Sequence, residues 1–356
     1  MKSNRTTNSD GRSPGKHTFP VVSPLSRIGQ GSEMDSERLR EAVLDLENKL
    51  QLGLSDQVAE TAARILDSYG HPLDVQVTLV RLIALSFQMQ GNFAGAVSIL
   101  GPFEASSVAS KLSQESLCLL QLHLGSAHTF NGSFDAAIPL LSKALRIAED
   151  RELTPLLLDI NLAFSHVYRE IRDYPVSRNY AEKALKYARD LGDWRKLAES
   201  YQMMAVGHLR EGNADKSIEL TRFAIKIVGD RQAPFLLGKL YSGISVGYSA
   251  LFQPEEGIRH LKKALTYFES TGDRFHTAAA YNNLGTNLIL NGEWQKAEEI
   301  LDRAVELGSE IDHVHLSTFL STRGELSLVR GDYQAAEKLF NEAVDAAAKE
   351  TQEWYS

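Results

Sequence analysis

The sequence predicts an all-α chain built as a solenoid, an α-α superhelix of about eight helical hairpins. Three observations carry the prediction. From Asp35 onward apolar residues fall at helical spacing almost without interruption, and no stretch alternates as a strand does. A turn position recurs at Gly91, Gly132, Arg172, Gly212, Phe252, Gly292 and Gly331, at intervals of 41, 40, 40, 40, 40 and 39 residues after a first step of 38 from Gly53. Each interval holds two amphipathic stretches, so every unit is a helical pair that buries its apolar face only by stacking on its neighbours.

Taken in order, residues 1–34 differ from the rest. They are rich in Ser, Thr, Asn and Gly, contain Pro14, Pro20 and Pro24, and lack apolar periodicity, which predicts a disordered, mildly basic tail. Met34, just before the first helical pattern, offers an alternative start of translation. The solenoid is expected over 35–350. Leu39, Val43, Leu46 and Leu50 form a first stripe; Val58, Ala62, Ile65 and Leu66 form a second, with Ser55 and Asp56 as expected caps. The pairs Gly192–Asp193, Gly229–Asp230 and Gly272–Asp273 are expected to mark unit boundaries, the glycine ending one helix in a left-handed conformation and the aspartate accepting the first amides of the next. Pro155, Pro175 and Pro234 suit helix starts, where a missing N–H costs little. Pro139 is placed in the first turn after Phe134. Residues 351–356 read as the start of an incomplete further repeat or a frayed end, which leaves an open C-terminal repeat for a downstream effector domain or self-association.

Composition narrows the function classes. The formal charge of −8 gives no general field for nucleic-acid phosphates. No apolar run approaches the ~18 residues of a membrane span. The single cysteine, Cys118, lies in an apolar run and reads as a small buried hydrophobe, and one cysteine allows no intramolecular disulfide, in keeping with a cytoplasmic protein. His313 and His315 point in different directions on a helix, and no His-Glu-x-x-His, Cys-x-x-Cys, P-loop or Gly-x-Ser-x-Gly motif is present. Neither a metal, a cofactor nor a catalytic residue is therefore expected. Glu298, Glu299 and Asp302 read as a solvated outer face.

The recurring residues resemble the tetratricopeptide repeat. The turn reads Gly91-Asn92-Phe93 with Ala96, Gly132-Ser133-Phe134 with Ala137, Gly292-Glu293-Trp294 with Ala297, and Gly331-Asp332-Tyr333 with Ala336. Small residues recur at Ala84, Gly125, Ser165, Ala205, Ser245, Gly285 and Gly324, and alanines at Ala144, Ala184, Ala224, Ala264, Ala304 and Ala343. Arg172 and Phe252 replace the turn glycine, Ala214 the aromatic, and Ser177, Ser217 and Gly257 the first alanine, so those units are expected to be looser. The forty-residue period is longer than the family's usual one and is similar to that of its regulatory members.

The resemblance implies a right-handed superhelix acting as a non-catalytic protein- or peptide-binding scaffold, either alone or as the sensory arm of a larger signalling or transcription-regulating protein; a cytosolic receptor for a signalling peptide is a third reading. It also implies that the first helix of each pair lines a concave groove. Counting back thirteen, ten, six and three residues from the turns of the middle units selects Asp159, His166 and Arg169, then Glu199 and Gln202, then Lys239, Ser242 and Ser249, then Asn282 with its neighbour Asn283, and Thr286. Such amides and charges suit an extended or helical peptide. Thr318 and Thr322 stand where a clamp for a ligand's C-terminal carboxylates needs basic residues, so that clamp is not expected.

Overall fold

The computed structural model describes residues 36–68, 71–311 and 315–355. Among these every regular element is helical, and the principal helices pair as eight hairpins. They are α1 Ser36–Gln51 with α2 Ser55–Ser68, α3 Leu73–Met89 with α4 Phe93–Leu100, and, after a short 3-10 helix and the single-turn α5 Ser106–Ala109, α6 Gln114–Phe130 with α7 Phe134–Asp150. There follow α8 Thr154–Glu170 with α9 Tyr174–Leu191, α10 Trp194–Arg210 with α11 Ala214–Val228, α12 Pro234–Ala250 with α13 Pro254–Thr271, α14 Arg274–Leu290 with α15 Trp294–Glu310, and α16 Leu316–Val329 with α17 Tyr333–Tyr355. The predicted tail and His313 lie outside the described residues.

The turns share one geometry. Gly91, Gly132, Gly212, Gly292 and Gly331 take φ of +74° to +83°. Arg172 and Phe252 take +66° and +55°, the same left-handed region. In each case the next amide returns to a carbonyl five residues back: Asn92 to Phe87, Ser133 to His128, Asp173 to Tyr168, Asn213 to His208, Gln253 to Tyr248, Glu293 to Leu288 and Asp332 to Ser327, all at 2.8–2.9 Å. This hydrogen bond closes the helix end whatever side chain is present, so the two substituted turns keep the shape of the glycine turns. Their cost is conformational, about 1–2 kcal/mol for an L-residue held left-handed.

Close approach explains the small residues. A Cβ on Gly125 would come within 2.9 Å of Leu141, one on Gly324 within 2.8 Å of Phe340, and one on Gly285 would overlap Leu301. Ser165 and Ser177 replace two apolar small residues in the α8–α9 hairpin and bond to each other, Ser177 Oγ donating to the Ser165 carbonyl at 2.7 Å. A Cβ on Gly257 would overlap the Asn287 side chain, which accepts from Ser249 Oγ at 2.9 Å and donates to the Asn283 carbonyl at 2.9 Å. Gly257 is thus the vacancy that Asn287 of the following hairpin fills. Ala144, Ala184, Ala224, Ala264 and Ala304 are fully buried at the joints between hairpins. Cys118 is buried, bonds the Ala144 carbonyl at 3.3 Å, and burial followed by Glu115 pushes its thiol up to about 11.

Four local expectations need correction. Helix α2 begins at Ser55, so Ser55 and Asp56 lie in its first turn instead of capping it, and Asp56 accepts from Gln90 Nε2 at 2.6 Å. Gly192 and Gly272 do end helices, with Asp193 and Asp273 capping the next; Gly229, however, takes ψ −132°, and the following helix starts only at Pro234 behind Ala233. Asp230 has no cap to make there. Pro139 is the sixth residue of α7, beyond the first turn. Glu298 and Asp302 are not merely solvated: both hold Arg323 of α16 at 2.7 Å, and Glu298 also pairs with Arg330.

One set of contacts runs far across the chain. The α1–α2 turn reaches the sixth hairpin: a Cβ on Gly53 would lie 3.1 Å from Thr271 Cβ and 3.3 Å from Phe235 Cβ. The α3–α4 turn reaches the seventh, where the Phe275 ring lies against Gly91 and packs edge-on to Phe93 at 6.3 Å. Arg195 of α10 also donates to the Gln51 carbonyl at 3.5 Å. Both glycine contacts join units five hairpins apart, so the superhelix has curled until one turn touches the next along an edge. The inner wall is thereby the wall of a bore.

Candidate functional site in the bore

The first helices of the middle hairpins converge on this bore. Lys196, in the first turn of α10, bonds Asp159 of α8 at 3.0 Å and Glu199 of its own helix at 3.1 Å. Its side chain keeps 33% of its surface open to solvent although protein surrounds it, as expected of a narrow passage. Desolvation works against its charge, but the two carboxylates outweigh it and hold the ammonium above its usual range. For Glu199 burial acts to raise the carboxyl pKa, and Lys196 and Lys239 prevail to lower it.

Next to this triad lies a second group. Arg169 of α8 donates to His166 Nε2 at 2.6 Å, to Glu170 at 2.6 Å and to Met203 Sδ of α10 at 3.4 Å. His166 leans on Phe130 with ring centres 4.4 Å apart, and burial with the charges of Arg169 and Lys239 keeps its imidazole neutral, well below the ordinary histidine range. Lys239 of α12 has its ammonium 5.6 Å from the Phe235 ring centre. Desolvation lowers its pKa, Glu199 and, more weakly, Asp273 oppose that, and Arg169 and Lys196 lower it further. His123 of α6 is neutral for similar reasons: burial first, then Arg81 and Lys196. Arg81 of α3 pairs with Glu47.

Of the residues the sequence selects, Asp159, His166, Arg169, Glu199 and Lys239 thus meet in one charged group. Gln202 lies one turn on from Glu199, and Ser242 one turn on from Lys239, on the corresponding helix faces. Asn282, Asn283 and Thr286 sit apart on α14. Asn282 is 6% exposed with its Oδ1 buried and unbonded, its carbonyl accepts from Thr286 Oγ1 at 3.1 Å, and the Asn283 carbonyl accepts from Asn287. The sequence count missed Lys196, the centre of the triad, because it began thirteen residues before the turn. One helical turn further, sixteen before Gly212, reaches it. Arg81 lies ten before Gly91 and was missed because only the middle units were counted.

Tetratricopeptide-repeat models match residues 120–151 and, in two overlapping placements, 237–310 and 276–349. Those segments are tetratricopeptide repeats. A search of curated proteins finds no match. Among solved structures, a Rap protein complexed with Competence and Sporulation Factor is similar at 15% identity and TM-score 0.60, over 89% of this chain and 100% of that one. NprR in complex with its cognate peptide NprX is similar at 15% identity and TM-score 0.56, over 89% and 93%. A signal-transduction ATPase with numerous domains and a tetratricopeptide repeat sensor, from Pyrococcus horikoshii, is similar at 17% identity and TM-score 0.56, over 82% of this chain and 44% of that one. At these identities the likeness is one of fold. Among the described residues no helix of this chain is long and apolar enough to cross a membrane.

Proposed function

We propose that this tetratricopeptide-repeat chain is a cytoplasmic, non-catalytic regulatory scaffold that binds a protein or peptide along the wall of its bore. The observation that carries this reading is the convergence of Asp159, Arg169, Lys196, Glu199 and Lys239 from three successive hairpins. A preformed wall of donors and acceptors loses little entropy when a ligand is ordered against it. The complexes of the Rap protein with Competence and Sporulation Factor and of NprR with its cognate peptide support the same reading by analogy of fold. Asn282, Asn283 and Thr286 would extend the surface along α14, and Ser242 and Gln202 would supply neutral hydrogen bonds between the charges.

A second reading makes the chain the sensory arm of a larger protein. It is favoured by the likeness to the signal-transduction ATPase with a tetratricopeptide repeat sensor, 44% of which this chain spans. Both readings place the ligand in the bore, and photo-crosslinking tests that shared claim. A benzophenone side chain is placed at Gln202, on the inner face of α10, or at Lys216, part-exposed on α11. Cross-links to captured polypeptide are expected from Gln202 and not from Lys216; the reverse pattern would reject the bore as the site.

A further inference from the structure

The residue before each joint alanine lies on the outer face of its hairpin, and in four of the middle hairpins it is a cation: Lys143, Lys183, Lys263 and Arg303 are all exposed. In the fifth hairpin that position is Phe223. Its ring is 48% exposed, so the core does not call for it. A single exposed ring is ordinary on a protein surface. This one walls a cleft of about 380 Å³, with Leu220 beside it and Tyr201 of α10 as the floor. The Phe223 and Tyr201 ring centres stand 4.8 Å apart, edge to face. Arg222, Lys226 and Glu219 complete the lining, and Lys216 is not part of it. Arg189 of α9 donates to the Tyr201 hydroxyl at 2.7 Å, and Arg222 donates to the Tyr248 hydroxyl with its guanidinium 5.7 Å from that ring centre. Neutral phenols thus hold both guanidinium groups in place. Among the described residues no carboxylate lies within 4.0 Å of the cationic nitrogens of Arg189, Arg222 or Lys226.

We propose that this outer cleft docks an amphipathic helix of a partner protein, a large apolar side chain entering beside Phe223 and flanking carboxylates meeting Arg222, Lys226 and Arg189. Such docking is independent of any ligand in the bore. Charge selects an acidic partner: α9 and α11 together carry seven basic residues against four acidic ones, in a chain whose formal charge is −8. Glu219 in the lining and Glu182 and Asp190 on α9 interrupt that field. It therefore suits carboxylates placed one by one and not the continuous charge of a nucleic-acid backbone. The backbone selects a helix. Among the described residues every regular element is helical, so no strand edge is offered with which an extended segment could pair its main chain. A helix arrives with its own backbone hydrogen bonds made and docks through side chains at i, i+3, i+4 and i+7. An exposed aromatic between arginine and lysine, beside a cleft, is the composition of an interface centre.

The probes are three pools of synthetic peptides of about 16 residues, long enough to form a helix on an alanine-rich frame. In the first, one face is randomised among Leu, Ile, Phe and Met and the flanking positions are Glu. The second has Lys in place of Glu; the third keeps Glu but has Gln on the apolar face. Each pool is passed over the immobilised full chain, and retained peptides are identified by mass spectrometry. Retention is expected from the first pool and not from the second or third. Phe223→Lys installs the type of residue that the neighbouring hairpins carry, so the melting temperature should change little while retention of the first pool falls about tenfold. Lys226→Glu should lower retention several-fold. If the second or third pool is retained as well as the first, or if Phe223→Lys retains the first pool as the wild type does, the docking site is wrong. Retention of a single-stranded oligodeoxynucleotide in place of the peptides, lost on Lys226→Glu, would assign the patch to nucleic acid and equally overturn it. If the wild type retains no pool, the site falls while the bore reading stands, because cross-links from Gln202 report the bore separately.

Discussion

The seventh hairpin, α14–α15, follows the repeat pattern at every position, with Gly285, Gly292, Ala297 and Ala304. The fourth, fifth and sixth depart from it at Arg172 and Ser177, at Ala214 and Ser217, and at Phe252 and Gly257. The departures keep the turn geometry and the burial of the pattern. Arg172 and Phe252 make the same five-back hydrogen bond as Gly292, and Ser177 and Ser217 are 2% and 3% exposed. Instead the irregular hairpins are those whose first helices carry the charged wall, while the regular one presents amides. At two departures a compensation stands beside the substituted residue: Ser165 for Ser177 and Asn287 for Gly257.

The sharpest break of that contrast is Gly257→Ala. Its methyl overlaps Asn287, whose two hydrogen bonds hold it in place, so a loss of about 1–3 kcal/mol is expected in urea unfolding. Adding Asn287→Ala should restore part of it; a double variant as unstable as the sum of the singles would remove the proposed coupling. Next comes Lys196→Met, which strands Asp159 and Glu199. Because the lysine is a third exposed, the expected loss at neutral pH is about 1–2 kcal/mol, between that of surface and buried pairs.

The pH dependence of that loss has a definite sign. Glu199 is held low in the fold, so its contribution is complete above the ordinary glutamate value of about 4.3 and fades as pH falls below it. Lys196 is held high, so its contribution is complete below about pH 10 and fades above. The other charged or titratable groups facing the pair, Asp159, Lys239, Arg195, Arg81 and His123, stay in place in both proteins. The gap in melting temperature between wild type and Lys196→Met should therefore be flat from about pH 5 to 10 and narrow below pH 4. A gap that widens in acid contradicts the assignment.

The turns supply the two smaller effects. Gly292→Phe should cost about 1–2 kcal/mol, the strain of an L-residue held left-handed. Phe252→Gly should do the opposite and stabilise by about 0.5–1 kcal/mol, since the ring is 80% exposed and little packing is lost. If Phe252→Gly destabilises, the ring has a role at the surface that the turn geometry does not show.

The hairpins were legible because their rules are local. A helix period, a left-handed turn residue and a small side chain at a crossing each act within forty residues, and the turns at Gly91 through Gly331 stand where the period puts them. The inner-facing residues were legible only in part, since the same period says which face of α8, α10 or α12 a side chain occupies but not what stands opposite. Asp159 and Lys196 are thirty-seven residues apart and Arg169 and Lys239 seventy, and nothing in the spacing announces that they share a field. The edge contact of Gly53 with Phe235 and of Gly91 with Phe275 was not legible at all. It depends on the small rotation that each hairpin adds to the last, summed over five units, and no local pattern records that sum. By itself, then, the sequence determined the all-α repeat, its turns and its inward faces. Only the tertiary structure decided that the groove closes into a bore and that Asp159 of one hairpin pairs with Lys196 of the next.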